Sequence, residues 1–409
     1  MMSKKILLIA DGRSAITTRW IDMLHSLDFQ VSLVSTYPLK TKPKVDQLFI
    51  LPVAFSAAGE KTREPAINQP DSRRSKNWKK TLIQNARPLV MKIRYLLGPT
   101  TLPKYQATLK TIISEVKPDL VHALRIPYEG MLTLITPEEI PLLVSVWGND
   151  FTLHANANQK MKQLTVEVMH RADGVLADVQ RDINLAHQWG FPEFKPGLVV
   201  PGGGGILFEE IKAAQEVIIS EFNIKQDVPV IVNPRGIRAY AQTDVFFQAI
   251  PFVLQKLPDA IFICPGMLDK PEAQNWVDRL KIQGNVKLLP TLPQDVLWSI
   301  FHRSHLAVSV TTHDGTPNTL LETMACGCFP IVGDIESLRE WITPGVNGLL
   351  VPPNSIEKLA NAITYAYDNQ ELRQRAKIFN HELLKSRANA VLVRSQLADF
   401  YDQFLKSTS

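Results

Sequence analysis

The chain has 409 residues, of which 45% are hydrophobic and 21% are charged, and its formal net charge is +5. This composition excludes a mostly disordered protein, and the length predicts two domains of about 200 residues each. Three cysteines are too few for a disulfide framework and lack the spacing of a zinc site, so we expect reduced thiols in a cytoplasmic protein and no bound metal.

Short apolar runs alternate with helical patterns along nearly the whole chain, which predicts parallel sheets built from βαβ units. Strand candidates run from KILLIAD to GLVVP in the first half and from VPVIVNP to NGLLV in the second. We therefore expect an α/β fold with two doubly wound, Rossmann-like domains. The apolar run of the opening MMSKKILLIADG is too short for a signal peptide, and no run approaches the ~20 apolar residues of a membrane span.

The glycine-rich PGGGG at 201–205 predicts the domain boundary, because consecutive glycines hold regular structure poorly. A loop that closely approaches a phosphate or a sugar would need the same glycines. We expect a first domain at 1–200 with a basic insertion at about 55–110, and a second domain at 206–385. The remaining helix, 386–409, is expected to pack back on the first domain.

The basic insertion concentrates charge, with twelve Lys and Arg against two acids in residues 61–110. A nucleic-acid binder would spread such charge over a folded face with interleaved aromatic residues, so we expect no nucleic-acid partner. Residues 76–97 have the pattern of a basic amphipathic helix that lies on an anionic membrane, with Pro88 dividing it into two short helices. A solvated helix packed on the first domain is the alternative.

The stretch TTHDGTPNTLLETMACGCFPIVGD places a turn between a strand and a helix. Asp314 lies in the turn and Glu322 lies one turn inside the helix. Ligands of open α/β sheets bind at the carboxyl ends of strands, and a helix N-terminus favours phosphate. The candidate residues for binding such a ligand are Gly315, Thr316, Pro317, Asn318 and Thr319. Alternatively, the two acids are a helix cap and a surface residue.

This stretch resembles the acid-x7-acid motif of the retaining glycosyltransferases of family 4, which have the GT-B fold of two domains facing a central cleft. The match continues through PIVGDIESLREWI and GVNGLLV. It departs at the first acid, where Asp314 stands in place of the usual Glu. The resemblance implies that Asp314 and Glu322 are catalytic, with one acid contacting the sugar and the other the ribose of a nucleotide-sugar donor.

A second match is VNPRGIRAYAQTDVFFQAI. Arg235 fits the family's arginine that holds the donor diphosphate and neutralises charge on the leaving group. The family's lysine falls at Tyr240, and Arg238 is the candidate substitute. The alternative is that both arginines cap a helix or pair with surface acids.

The first domain carries weaker matches. Gly12 follows the first strand and would allow close approach to a ligand. His122 retains the first histidine of a His-x-His segment and is either catalytic or a core residue. Asn149 and Asp150 are candidates for binding sugar hydroxyls, whereas Trp147 is expected to pack.

The resemblance implies a hexosyltransferase-type enzyme that moves a sugar, with retention, to a saccharide or lipid-linked acceptor in glycan, polysaccharide or glycolipid synthesis. It implies no bound metal, because Arg235 and the helix N-terminus supply positive charge. A nucleotide-sugar epimerase, a glycogen-type synthase and a catalytically silent scaffold or membrane tether remain open. So does peripheral attachment to the inner face of the membrane. ADGRSAIT lacks the Gly-x-Gly-x-x-Gly turn of a dinucleotide-dependent oxidoreductase, which excludes that class.

Overall fold

The computed structural model describes residues 3–56, 87–214, 227–238 and 240–405. Its contacts divide the chain into two compact units. The first unit holds the residues up to Ala177, Asp182–Val199 and the residues from Leu397 onward. The second unit holds Asp178–Arg181 and Val200–Gln396.

The first unit is built on a seven-stranded parallel sheet with the order β3-β2-β1-β4-β5-β6-β7. Its strands are β1 (Lys5–Ala10), β2 (Gln30–Ser35), β3 (Gln47–Ile50), β4 (Leu120–Ala123), β5 (Leu142–Val146), β6 (Gly174–Ala177) and β7 (Gly197–Val199). The helices along this part of the chain are α1 (Ala15–His25), α2 (Arg87–Leu97), α3 (Leu102–Val116), α4 (Gln159–Arg171) and α5 (Gln180–Gln188). The strand order reverses between β1 and β4, where open α/β sheets place ligands.

The second unit is built on a six-stranded parallel sheet with the order β10-β9-β8-β11-β12-β13. Its strands are β8 (Val230–Val232), β9 (Ile261–Cys264), β10 (Val286–Leu288), β11 (Leu306–Ser309), β12 (Phe329–Gly333) and β13 (Leu349–Val351). The helices that follow β7 along the chain are α6 (Phe208–Ala214), α7 (Thr243–Leu254), α8 (Pro271–Leu280), α9 (Gln294–Arg303), α10 (Asn318–Ala325), α11 (Glu336–Arg339), α12 (Ile356–Asp368), α13 (Gln370–Arg387) and α14 (Ala390–Leu405). The order reverses between β8 and β11.

The strand cores are continuous apolar runs, because strands of a parallel sheet covered on both faces meet no water. Residues 6–10 of β1 and 329–333 of β12 are all buried. Each strand candidate of the sequence overlaps a strand of the structure, so the predicted pair of doubly wound parallel sheets is confirmed.

The last part of α14 belongs to the first unit. Phe400 and Phe404 lie so close to Gly174 of β6 that a Cβ there would be 3.1 and 2.6 Å from their rings. Tyr401 is fully buried, and its hydroxyl lies 2.5 Å from Nδ1 of His122. The end of the chain therefore completes the core of the first unit.

His122 is a core residue and has no contact with solvent. Its Nδ1 bonds Tyr401 and its Nε2 lies 2.9 Å from Oγ of Ser145, so both ring nitrogens are used. Burial lowers the pKa of His122 to about 3, which keeps the ring neutral at pH 7. The catalytic role expected for His122 is therefore wrong, and the core-residue alternative holds, because the ring is buried and both of its nitrogens already have partners in the core.

The basic insertion is described from α2 onward, and the expected helical residues 76–86 lie outside the described residues. Pro88 stands in the first turn of α2, where its missing N–H removes no helical hydrogen bond. Within the described ranges, no helix has the length and apolarity that crossing a membrane requires.

Candidate active site

Two loops meet at the reversal of strand order in the second unit. Ala307 of β11 pairs with Val232 of β8, so the loops that follow these parallel strands leave the sheet at the same edge. One loop carries Arg235 and the other carries Asp314. Their side chains form an ion pair with 2.7 Å between Nη2 and Oδ2. The two motifs that the sequence singled out separately are thus one site.

The ion pair is largely shielded from water, with 12% of the Arg235 side chain and 15% of the Asp314 side chain exposed. Burial raises the pKa of Asp314, and the charges of Arg235 and then Arg238 act against that rise. The Gly315 N–H and the charge of Arg181 also favour the carboxylate, without reversing the direction of the shift. Asp314 is thus held next to several cations in a site that disfavours its charge.

The loop that carries Asp314 is fixed by hydrogen bonds behind it. Thr316 Oγ1 donates to the carbonyl of Asp178 at 2.8 Å and accepts from Nε1 of Trp341 at 2.8 Å. Ser337 Oγ donates to the carbonyl of Asp314 at 2.7 Å. The expected donor-binding role of the Thr316 hydroxyl is therefore wrong, because both its donor and an acceptor position serve the fold.

Helix α10 begins directly after this loop, and its first turn holds no acidic residue. Thr319 Oγ1 is buried, and among the described residues it has no hydrogen-bond partner. Gly202, at φ 59°, packs against this end of the helix: a Cβ there would lie 3.0 Å from Leu321 Cδ1 and 3.5 Å from Asn318 Oδ1. The glycine-rich stretch therefore serves as a close-packed turn beside the helix N-terminus.

Glu322 is only 3% exposed, and its Oε2 accepts from Nε2 of Gln294 at 3.1 Å. It follows Asn318 by four positions and Thr319 by three, so the three side chains share one face of α10. Gln294 begins α9, and no motif in the sequence marked it. The loop and α10 together hold the predicted donor-binding residues, which are Gly315, Thr316, Pro317, Asn318 and Thr319.

The predicted sugar-binding role of Asp150 is wrong, because its carboxylate is buried and used within the first unit. Oδ1 accepts from Nη2 of Arg125 at 2.8 Å, and Oδ2 accepts from the N–H groups of Ile126 and Trp147 at 3.1 and 3.2 Å. The guanidinium of Arg125 also lies 5.1 Å above the ring of Trp147. Asn149 is half-buried in the same turn.

Gly12 is needed for packing within the first unit. A Cβ there would lie 2.8 Å from Oγ of Ser35 and about 3 Å from Leu39, and the Gly12 N–H donates to that hydroxyl at 3.2 Å. Arg238 is exposed in the second unit, where its Nε donates to the carbonyl of Arg235 at 3.3 Å. Arg238 therefore stays beside the ion pair without being part of it.

Comparisons with known proteins find glycosyltransferases that resemble parts of this chain. The family model described as "Glycosyl transferases group 1" matches residues 214–381, and "Glycosyl transferase 4-like" matches residues 75–178. The alpha-D-kanosaminyltransferase of Streptomyces kanamyceticus is 20% identical over 176 residues, which cover 43% of this chain. The alignment spans 46% of that relative's length.

Solved structures share the whole fold. The sucrose-phosphate synthase of Thermosynechococcus elongatus has a TM-score of 0.74 at 15% identity, covering 99% of this chain and all of the other. The Anabaena protein HepE, solved in complex with UDP and glucose, has a TM-score of 0.68 at 16% identity, covering 98% and 100%. The fold is that of the GT-B glycosyltransferases, a class of transferase enzymes. The two family models that match separate parts of the chain support a glycosyltransferase of the family 4 type.

In the described ranges, no group of three or more His, Cys, Asp or Glu side chains has the arrangement of a metal site. The buried thiols of Cys264, Cys326 and Cys328 are unpaired by disulfides. Burial raises the pKa of all three thiols, which keeps them protonated at neutral pH.

We predict opposite effects for two threonines of the site. Thr316→Val leaves the buried Nε1–H of Trp341 without its acceptor, so the free energy of unfolding of the second unit should fall by about 1–3 kcal/mol. Thr319→Val removes a hydroxyl that has no partner among the described residues, so we expect no loss or a small gain. Chemical denaturation of both variants measures the difference, and equal losses would contradict the assigned roles.

Proposed function

We propose that the protein transfers a hexose from a nucleotide-sugar donor to a saccharide or lipid-linked acceptor, with retention of configuration at the anomeric carbon. The observation that carries this proposal is the meeting of Arg235 and Asp314 at 2.7 Å, next to a helix N-terminus that has no acidic residue in its first turn. Such a site offers a cation, a carboxylate and helix N–H groups to one ligand.

The donor diphosphate would bind to Arg235 and the start of α10. Nε of Arg235 is buried and has no hydrogen-bond partner among the described residues, so it can still donate to a phosphate oxygen. Thr319, in the first turn of α10, adds a hydroxyl that has no partner among the described residues. Positive charge fixed here would stabilise the departing nucleotide diphosphate, which is the role of a metal in other transferases. We therefore propose a metal-independent transfer.

Binding of the diphosphate would alter the ion pair. A phosphate oxygen that reaches Arg235 competes with Asp314 for the same guanidinium, and Asp314 is then available to a sugar hydroxyl. Burial disfavours the charge of Asp314, so the carboxylate needs other partners once Arg235 binds the phosphate. Hydrogen bonds from the donor sugar would replace part of the interaction with Arg235. Glu322, whose Oε2 is bonded by Gln294, would accept hydrogen bonds from the hydroxyls of the ribose.

Retention follows from a same-face transfer in this proposal. The bond between the anomeric carbon and the phosphate oxygen breaks as the acceptor oxygen bonds to the same face of that carbon. The acceptor proton goes to the departing phosphate oxygen, so no protein nucleophile is needed. In this proposal Asp314 pairs with Arg235 before the donor binds and then accepts a hydrogen bond from a sugar hydroxyl, so it is assigned to binding and not to a double displacement.

The relatives support a nucleotide-sugar donor. HepE has been solved with UDP and glucose, and a pneumococcal O-GlcNAc transferase of TM-score 0.59 has been solved with UDP and GlcNAc. Because these structures are 16% and 14% identical to this chain, their ligands suggest which donors to test first.

We predict that the protein binds one of UDP, GDP and ADP in a calorimetric titration, and that Glu322→Gln weakens this binding at least tenfold, or by about 1.4 kcal/mol. The amide keeps the size of the buried side chain and its contact with Gln294, but it loses the charge that attracts hydroxyl donors. Glu336→Gln, at an exposed glutamate of the same unit, is the matched control and should bind as the unchanged protein does.

NMR of the product formed from the sugar conjugate of that nucleotide reports the anomeric configuration. An inverted product would contradict the same-face transfer. Free nucleotide and sugar released without any acceptor product would favour the epimerase. Failure of all three nucleotides to bind would favour the scaffold.

The protein is also proposed to rest on an anionic membrane surface through α2. Ile93, Leu96 and Leu97 of this helix are 45%, 68% and 44% exposed, and Lys92 beside them is exposed as well. Exposed apolar side chains next to cations suit an anionic bilayer surface, where each cation contributes about 1 kcal/mol.

We predict that the protein floats with phosphatidylglycerol vesicles and that Leu96→Asp abolishes flotation, because it places a charge among the exposed apolar side chains. Leu268→Asp is the control, since Leu268 is 50% exposed in the second unit. Equal flotation of both variants would show that α2 does not form the membrane contact.

A further inference from the structure

A cavity of about 120 Å³ opens in the first unit at the reversal of strand order. Asp11, which follows β1, and Arg125, which follows β4, both line it. Helix α2 closes another side with Arg94 and Tyr95. Tyrosine, tryptophan and histidine rings supply much of the remaining wall. The cavity is thus small, aromatic and supplied with two guanidinium groups.

Arg94 carries a charge that no carboxylate in the described ranges pairs with at ion-pair distance. Its guanidinium lies 5.5 Å from the centre of the Tyr37 ring and 5.3 Å from that of Tyr128, so aromatic faces hold it in place. Its Nε is buried and lacks a hydrogen-bond partner among the described residues, as does Nε of Arg125. A buried charged donor that makes no hydrogen bond costs about 1–3 kcal/mol or more in stability.

The acids that line the cavity do not neutralise Arg94. Asp11 accepts from Nε and Nη2 of Arg13 at 3.0 and 2.9 Å, so its charge is already paired. Glu129 accepts from the Thr36 hydroxyl at 2.7 Å; burial raises its pKa, and the charges of Arg125 and Arg94 act against that rise. Among the described residues, Arg94 therefore stands at the cavity without an ion-pair partner.

The other polar groups of the wall are neutral. Burial lowers the pKa of His154 to about 4, and its Nδ1 lies 2.7 Å from the Tyr95 hydroxyl. Arginine has only donors, so the partner of Arg94 must bring acceptor oxygens and negative charge. A phosphate group brings several acceptor oxygens and matches the guanidinium geometry.

We infer that this cavity binds a phosphate group of the acceptor, with Arg94 as its main cation and the aromatic rings around the attached sugar or polyol. The inference rests on the proposed function, which it deepens by naming the acceptor as a phosphorylated molecule. A free sugar phosphate and a lipid headgroup share this chemistry. The helix that supplies Arg94 also exposes Leu96 and Leu97, so a headgroup could reach the cavity from a membrane surface.

The test compares Arg94→Gln with Lys92→Gln, two variants of α2 that lose the same charge. Lys92 is exposed and does not line the cavity. Calorimetric titration with glycerol 1-phosphate, and with glycerol as the uncharged control, is run with the bound nucleotide at saturation so that the second unit cannot take the probe. Vesicles of phosphatidylcholine with phosphatidic acid present the same phosphate on a lipid.

Glycerol 1-phosphate or the phosphatidic acid vesicles should bind, and glycerol should not. Arg94→Gln should weaken phosphate binding at least tenfold. Lys92→Gln should change the binding of glycerol 1-phosphate by less than about twofold, and should lower binding to vesicles only by the roughly fivefold that one cation at the membrane surface contributes. Arg94→Lys keeps the charge without the fork of donors, and we expect an intermediate affinity. Arg94-dependent binding only to vesicles identifies a lipid headgroup, and only to the free probe identifies a soluble acceptor.

Equal weakening of glycerol 1-phosphate binding by the two glutamine variants, or no binding of any phosphate probe, would overturn the inference. Nucleotide titration of every variant serves as the check of folding and separates the two proposals. Nucleotide binding without phosphate binding refutes the acceptor phosphate and leaves the proposed function standing. Phosphate binding that depends on Arg94, without nucleotide binding, refutes the proposed transfer and leaves a phosphate-binding cavity whose ligand is not an acceptor.

Discussion

The site of the second unit depends on the parallel pairing of β8 with β11. These strands are neighbours in the sheet although β9 and β10 separate them in the chain, because the strand order reverses between them. The reversal opens a gap at the carboxyl edge, and the two loops that border it carry Arg235 and Asp314. Their 2.7 Å contact, and the helix that starts beside it, follow from this single feature of the topology.

Both units have a candidate site at a reversal of strand order, but different side chains line the two sites. In the first unit the order reverses between β1 and β4, and the cavity lies where those strands end. Both sites keep a buried guanidinium Nε without a partner among the described residues, at Arg235 in one unit and at Arg94 and Arg125 in the other. An unpartnered Nε is not by itself a ligand site, since Arg171 also has one while its Nη2 bonds carbonyls of the fold. The Nε atoms at the two reversals of strand order are the ones that our proposals assign to oxygen atoms of a ligand.

The sequence predicted the elements whose signal is local. Continuous apolar runs marked the buried strands, and the turn before α10 was visible in HDGTP. Residues whose role depends on distant partners were missed. From the sequence His122 was either catalytic or a core residue, and its bond to Tyr401, far along the chain, decides for the core. Asp150 was assigned to a sugar, whereas its carboxylate binds Arg125. Arg94 stood in an amphipathic pattern that gave no sign of a cavity.

Hydrogen–deuterium exchange with and without the bound nucleotide tests the central claim, that the loops after β8 and β11 form the donor site. A nucleotide held by Arg235 and the start of α10 would cover the N–H groups that these elements leave unpaired. The account predicts slower exchange in residues 235–238 and 314–322 and little change in α2. A nucleotide that binds tightly while exchange in both loops stays the same would contradict it.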